Sequence, residues 1–342
     1  MKFKKNILKI CLIILLFICL LFAFKLFYNN KNGFTTMETP PFPIDVVYSW
    51  AGENTDSTNN RVAFNNELKY SLRSLFKYAP WVNKVYILMN PPKTKPSWFN
   101  EQYKDKIILV DHNDTFDSND LPCTNSNSIE TTLVNINGLS EHFIYFNDDF
   151  YLGNYVSYLD FYTKDGKKMI IQDNFSHNCE SMILDNKTSS FNFDLPIYCG
   201  ISDHKPMPYL KSVVKKFHEK YSDYIKWIRT IKSKSKHYPE KSPCKDNNLK
   251  EWCMQQNGLI CKYAFDNGYA NTHNFSKDNQ VIYTSYGFDP QLKELFNIEK
   301  YHPKYFCIND SFNDSNIERK KFFNKINKFM QSYFPEKPFF EN

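Results

Sequence analysis

The chain has 342 residues, 42% hydrophobic and 23% charged, with 31 Phe and 23 Tyr, which excludes a disordered chain and allows a large aromatic core. Five of its 43 Lys and Arg fall in residues 1–25, where no acid occurs. The remainder carries 38 basic against 37 acidic residues and has no basic excess to recommend nucleic acid as a partner.

Residues 1–6 read as a short cytoplasmic tail. Ile10–Phe24 is an unbroken apolar run between Lys9 and Lys25, and with those lysines snorkelling the span 7–28 reaches about 33 Å, enough to cross a bilayer. The preceding lysines predict a signal-anchor with the N-terminus cytoplasmic, making a type II single-pass membrane protein with its body lumenal or extracellular. Residues 29–43 are polar and Pro-rich, a stalk. Seven cysteines lie beyond the anchor, and Cys244, Cys253 and Cys261 are close enough in sequence for local disulfides in an oxidising compartment. Sequons begin at Asn113, Asn174, Asn186, Asn274, Asn309 and Asn313.

From residue 44 to 342 the chain reads as one domain. Ile44–Ser49 is a β-branched run, a buried strand. Residues 67–78 place Leu68, Leu72, Leu75 and Phe76 at helical spacing before Pro80. Val85–Met89 and Ile107–Val110 read as further strands, Asn127 with Glu130 as a capping box opening a helix, and Phe143–Phe146 as a fourth strand. Pro208–Ile231 reads as an amphipathic helix, residues 232–245 as a loop or insertion, Leu249–Asn267 and Ile317–Tyr333 as helices. Strands alternating with helices predict an α/β fold, a mostly parallel, Rossmann-like sheet with helices on both faces, in which ligands gather beyond the carboxyl ends of the strands.

The strongest chemical signal is Asn147-Asp148-Asp149 directly after the strand 143–146. Adjacent carboxylates repel and need a cation or hydrogen-bond donors, and a hard divalent ion takes one or two carboxylates together with phosphate oxygens. An Asx turn would look the same at this level. Asp45 interrupts an apolar strand and requires a partner or a cleft. His204 lies in a loop stiffened by Pro206 and Pro208, Arg73 sits on the helix 67–78, and Asn309-Asp310 repeats the apolar-then-Asn-Asp pattern after Phe306-Cys307-Ile308. There is no GxGxxG, P-loop, GxSxG or HExxH motif.

Four blocks in order resemble the Stealth family: IDVVYSW at 44–50; a long block running from ELKYSLRSLFKYAPWVNKVYILMN at 67–90 through LVDHNDTF, LPCTNSNSIE and GLSEHFIYFNDDF to residue 150; HKPMP at 204–208; and CINDSFND at 307–314 leading to FPEKPFFE at 334–341. The resemblance covers essentially the whole body. It departs from the family pattern at Cys123-Thr124 and in the third block, where Arg229 is the only arginine in the stretch after His204 that the block covers and Lys241 with Asp246 offers a second alignment.

The resemblance implies an enzyme of polysaccharide biosynthesis or glycan modification. It would transfer a sugar 1-phosphate from a UDP-sugar to a hydroxyl of a glycan acceptor, forming a phosphodiester and releasing UMP. By resemblance, Asp148 and Asp149, with Asp310, would hold Mg²⁺ or Mn²⁺. Arg73 would neutralise phosphate charge, and His204 would act as base or as covalent nucleophile. Asp45, Trp50, Asn125, Asn309, Asp310 and Arg229 would bind substrate. Two other functions fit the same residues less fully: a glycosyltransferase releasing UDP, and a non-catalytic glycan-binding ectodomain.

Overall fold

The computed structural model describes residues 38–53, 66–90, 95–172, 204–233, 255–275, 281–285, 293–309 and 316–342. The expected tail, anchor and most of the stalk lie outside them, and no helix among the described residues is long and apolar enough to cross a membrane. Thr39–Asn342 forms one unit; the unit before it, Met1–Glu38, is described only at Glu38.

Strand β1 (Ile44–Trp50) is buried along its length except at partly exposed Ser49. Its β-branched and aromatic side chains suit a strand covered on both faces. Helix α1 (Glu67–Tyr78) buries Leu68, Leu72 and Leu75, begins after Asn66 in the left-handed region (φ 62°), and ends where the Ala79 N–H caps the Leu75 carbonyl. Strands β2 (Val85–Met89), β3 (Ile107–Asp111) and β4 (His142–Asn147) follow, with the short helix α2 (Ser126–Glu130) before β4. The four strands are mutually parallel in the order β3-β2-β1-β4. Their carboxyl ends are level: Trp50 is in register with Met89, Met89 with Asp111, and Ser49 with Asn147.

After a two-residue turn at Asp148-Asp149 the chain enters β5 (Phe150–Leu152), which belongs to a different sheet. Strand β6 (Met169–Gln172) comes next. Then β7 (Met207–Leu210) closes the central sheet antiparallel to β4, with Tyr145 opposite Met207. Helices α3 (Lys211–Lys220), α4 (Ser222–Thr230) and α5 (Gln256–Asp266) lead to β8 (Ala270–His273), which pairs with β6. Strand β9 (Val281–Ser285), helix α6 (Lys293–Tyr301), strand β10 (Tyr305–Asn309) and helix α7 (Asn316–Tyr333) complete the chain. The second sheet runs β5-β10-β9, with β10 antiparallel to β5 and parallel to β9.

The α/β class and the parallel central sheet agree with the sequence reading. Residues 208–231 do not form a single helix. Met207–Leu210 is an edge strand, where Pro208 is tolerated because its missing N–H can face away from the ladder, and Tyr221 (φ −114°, ψ 39°) separates two helices. The helix expected over 249–267 is described from Gln256 to Asp266. The cap near residue 127 is Asn125, whose side chain accepts the Asn127 N–H. Cys261 is a buried free thiol on α5, not a disulfide partner, and burial pushes it up to about 12. Cys244 and Cys253 lie outside the described residues.

Candidate active site

Topology brings three chain segments to one edge. Strand β4 delivers Asp148-Asp149 at its carboxyl end, and β7, running the other way beside it, begins there, so the His204-Lys205-Pro206 approach to β7 arrives at the same end. Strand β10 pairs with β5 so that Cys307 faces Phe150, which puts its last residues beside the turn.

Asp149 is the centre of the contacts. Its Oδ2 accepts the Cys307 Sγ–H at 3.3 Å and the Asn309 Nδ2–H at 3.1 Å. The His204 ring meets Phe150 edge-to-face at 6.1 Å, and the histidine's electrostatic influence pulls the Asp149 carboxyl downward. Burial raises the Asp149 carboxyl above its usual range, against the opposing pull of His204, Cys307 and Asn309. Asp148 is pushed to about 7, first by burial and then by the Asp149 charge. No Lys or Arg among the described residues forms an ion pair with either carboxylate.

The two adjacent carboxylates are the oxygen donors that a hard divalent cation would use. Two carboxylates stand at one turn, and among the described residues no group of three or more His, Cys, Asp and Glu forms a complete cage. An Mg²⁺ or Mn²⁺ ion held by Asp148 and Asp149 would draw its remaining oxygens from substrate phosphate and water. Asp310, expected as a third ligand, lies outside the described residues.

Around the turn, the Tyr145 hydroxyl donates to Asn147 Oδ1 at 2.8 Å and lies in the field of Glu130. Tyr48 shares a 2.9 Å hydrogen bond with Ser71, whose hydroxyl donates to the Phe150 carbonyl and so fastens the residue after the acid pair to α1. Trp50, buried, ends β1 at the same edge.

Four expected site residues make hydrogen bonds within the fold. Asp45 sits at the opposite end of β1. Its Oδ1 accepts Asn83 Nδ2–H (2.8 Å) and Lys84 N–H (3.1 Å), and its Oδ2 accepts Ser140 N–H (2.8 Å), so the buried carboxylate is satisfied by three donors far from the carboxyl edge. Arg73 forks onto Glu341, with Nε and one terminal nitrogen each 2.6 Å from a carboxylate oxygen, and its other nitrogen donates to Phe334 O at 2.7 Å. Asn125 caps α2 and donates to Ile231 O at 2.8 Å. Arg229 donates to Thr131 Oγ1 at 2.9 Å and Thr131 O at 3.1 Å, bracing α4 against the chain after α2.

Two neighbours of the site were not marked as such by the sequence. Glu130 was read as a cap, yet it is the last residue of a five-residue helix and is buried beside Tyr145. Cys307 was passed over, although its two-residue spacing from Asn309 puts both on one face of a strand.

A parallel sheet with an acid pair, a histidine and an amide gathered at its carboxyl edge defines a class, an α/β enzyme with its chemistry at the strand ends. Residues 61–170 match the family described as Stealth protein CR2, conserved region 2. An exopolysaccharide phosphotransferase, cps2G, of Lactiplantibacillus plantarum is 27% identical over 360 residues, covering 91% of this chain and 99% of that protein. A capsular polysaccharide phosphotransferase of Neisseria meningitidis serogroup B is 28% identical over 345 residues, covering 89% and 86%. The capsular polysaccharide phosphotransferase LcbA of Neisseria meningitidis is 33% identical over 224 residues, covering 54% and 58%. Residues 61–170 thus carry a Stealth conserved region, and the likeness to these relatives marks the chain as an enzyme of the phosphotransferase type.

Proposed function

We propose that this enzyme transfers a sugar 1-phosphate from a UDP-sugar to a hydroxyl of a glycan acceptor in polysaccharide biosynthesis, forming a phosphodiester and releasing UMP. The observation that supports the reading is that the His204 segment and the Asp148-Asp149 turn come to the same end of a mostly parallel sheet, with the His204 ring against Phe150. The relatives' names support phosphate transfer onto capsular and exopolysaccharides. Residues 7–28, as a signal-anchor, would tether the catalytic unit to a membrane.

In this reaction the acceptor hydroxyl oxygen forms a bond to the β-phosphorus of the donor. The bond from that phosphorus to the oxygen bridging to UMP breaks, and UMP leaves with the bridging oxygen. His204 takes the hydroxyl proton as general base. Asp149 holds its Oδ2 on Cys307 and Asn309, which leaves Oδ1 for the substrate side. Bound at Asp148 and Asp149, Mg²⁺ or Mn²⁺ would neutralise charge on the diphosphate. Trp50 and Tyr145, both buried, lie on the strands that end at this edge. Chemistry of this kind depends on positioning and charge neutralisation.

The test is incubation of the protein with a panel of UDP-sugars, a capsular oligosaccharide acceptor and Mg²⁺ or Mn²⁺, separating UMP from UDP by chromatography. UMP release is expected, and His204→Ala or Asp149→Ala should each reduce it by at least ~10²-fold. Release of UDP without UMP would overturn the reading in favour of glycosyl transfer.

A further inference from the structure

Lys205 follows His204 directly and is 2% exposed. By residue type, a lysine next to the proposed base would be assigned to phosphate. Its ammonium instead lies 4.4 Å from the ring centroid of Phe275 and 5.8 Å from that of Tyr305. The two rings meet edge-to-face at 5.8 Å. An ammonium withdrawn from water costs several kcal/mol, and the ring faces offset part of that cost. The two rings thus supply part of the seat that holds the Lys205 ammonium.

Its two walls come from different parts of the fold. Phe275 follows β8 and is fastened through its backbone N–H to Gln172 Oε1 on β6, at 3.1 Å. Tyr305 opens β10. Along a strand, residues two apart share a face, so Tyr305, Cys307 and Asn309 form one row. The first of these contacts Lys205, and the other two donate to Asp149. One face of one strand thus grips both the residue beside His204 and the carboxylate that His204 acts upon.

We infer that Lys205 is a positioning residue: its caged ammonium registers the His204 segment against β10 and so sets the imidazole at its working distance from Asp149. The inference rests on the reaction proposed above. It separates Lys205 from a phosphate ligand, because a ligand acts on donor affinity and a positioning residue acts on the chemical step.

The experiment compares Lys205→Met, Lys205→Arg, His204→Ala and the wild type as full chains. UMP release is measured with UDP-glucose, UDP-galactose and UDP-N-acetylglucosamine as donors, and kcat and donor KM are resolved separately. Lys205→Met is expected to lower kcat roughly 10- to 100-fold, the scale of a misplaced catalytic group, with KM within about threefold of wild type. Lys205→Arg, which can still stack on the rings, should return kcat to within about threefold.

A second readout needs no donor or metal: carbethoxylation of His204 by diethyl pyrocarbonate in the free protein, followed by peptide mass spectrometry. Lys205→Met should change that rate several-fold at an unchanged Tm, and Lys205→Arg should not. If Lys205→Met fails to fold, Phe275→Leu removes the cage wall and should give the same pattern.

Unchanged kcat and unchanged His204 labelling in a folded Lys205→Met would overturn the inference, as would a rise in donor KM with kcat intact. Full UMP release by His204→Ala would instead remove the proposed reaction, and the labelling rates would still decide the role of Lys205.

Discussion

Replacing Arg73 by Ala separates a structural arginine from a catalytic one. The side chain is 11% exposed and grips a Glu341 side chain that is 3% exposed through two 2.6 Å hydrogen bonds, while a third nitrogen holds Phe334 O at 2.7 Å. An exposed pair of this type would contribute ~0–1 kcal/mol. Breaking a buried pair from one side costs ~3–5 kcal/mol, because the remaining charge is left desolvated. Lys69 stays 3.7 Å from Glu341 and offers partial compensation, so the low end of the range, about 3 kcal/mol, is the expected loss. For a unit of this size that corresponds to a Tm lower by roughly 5–10 °C. Glu341→Ala should cost a similar amount. Arg73→Met with Glu341→Leu should cost less than the sum of the single changes, because neither charge is then left alone. Thermal unfolding followed by circular dichroism measures the three variants, and UMP release assayed well below each Tm should stay within about tenfold of wild type. An Arg73→Ala protein with native Tm and a loss of more than ~10³-fold in kcat, beside an active Glu341→Ala, would refute the clasp and restore the phosphate-binding role that residue type alone suggests.

Asp45→Ala leaves three donors unmatched at the start of β1 and should destabilise by about 3 kcal/mol in urea titrations, with kcat of the folded protein unchanged. His112 is 1% exposed, with neither ring nitrogen hydrogen-bonded, and burial pushes it down to about 4. Its folded value lies below its unfolded one, so its contribution is complete above about pH 6.5 and is lost as pH falls toward 4. Over that interval wild type should lose about 3 kcal/mol more than His112→Leu by urea midpoint, and parallel pH profiles would refute the assignment. Chelation by EDTA should abolish UMP release, and Mg²⁺ or Mn²⁺ should restore it; turnover persisting through exhaustive chelation would remove the cation from the scheme.

What could be read from the chain depended on how local the cause was. Strands β1, β2, β3 and β4 and helix α1 announce themselves because their apolar runs and helical spacing are local, and Pro80 after α1 and Pro91 after β2 punctuate two of them. Strand β7 was misread because four residues running into two helices carry a helical pattern, and only pairing with β4 makes them a strand. The acid pair was legible for the same local reason: it ends a hydrophobic strand. Arg73, Asn125, Asp45 and Arg229 were not, because nothing near them in sequence reveals their partners. Glu341 lies 268 residues from Arg73, Ile231 lies 106 from Asn125, Ser140 lies 95 from Asp45 and Thr131 lies 98 from Arg229. A polar residue in a signature block can mark either chemistry or the long-range fastening that the chemistry requires, and the two differ only in what the side chain touches. In this enzyme the distinction runs through neighbours: the His204 ring meets Phe150, the residue after the acid pair, while Lys205 lies against two aromatic rings. The site is therefore built as much by β10 and its one-sided row of Tyr305, Cys307 and Asn309 as by the turn that bears the acids.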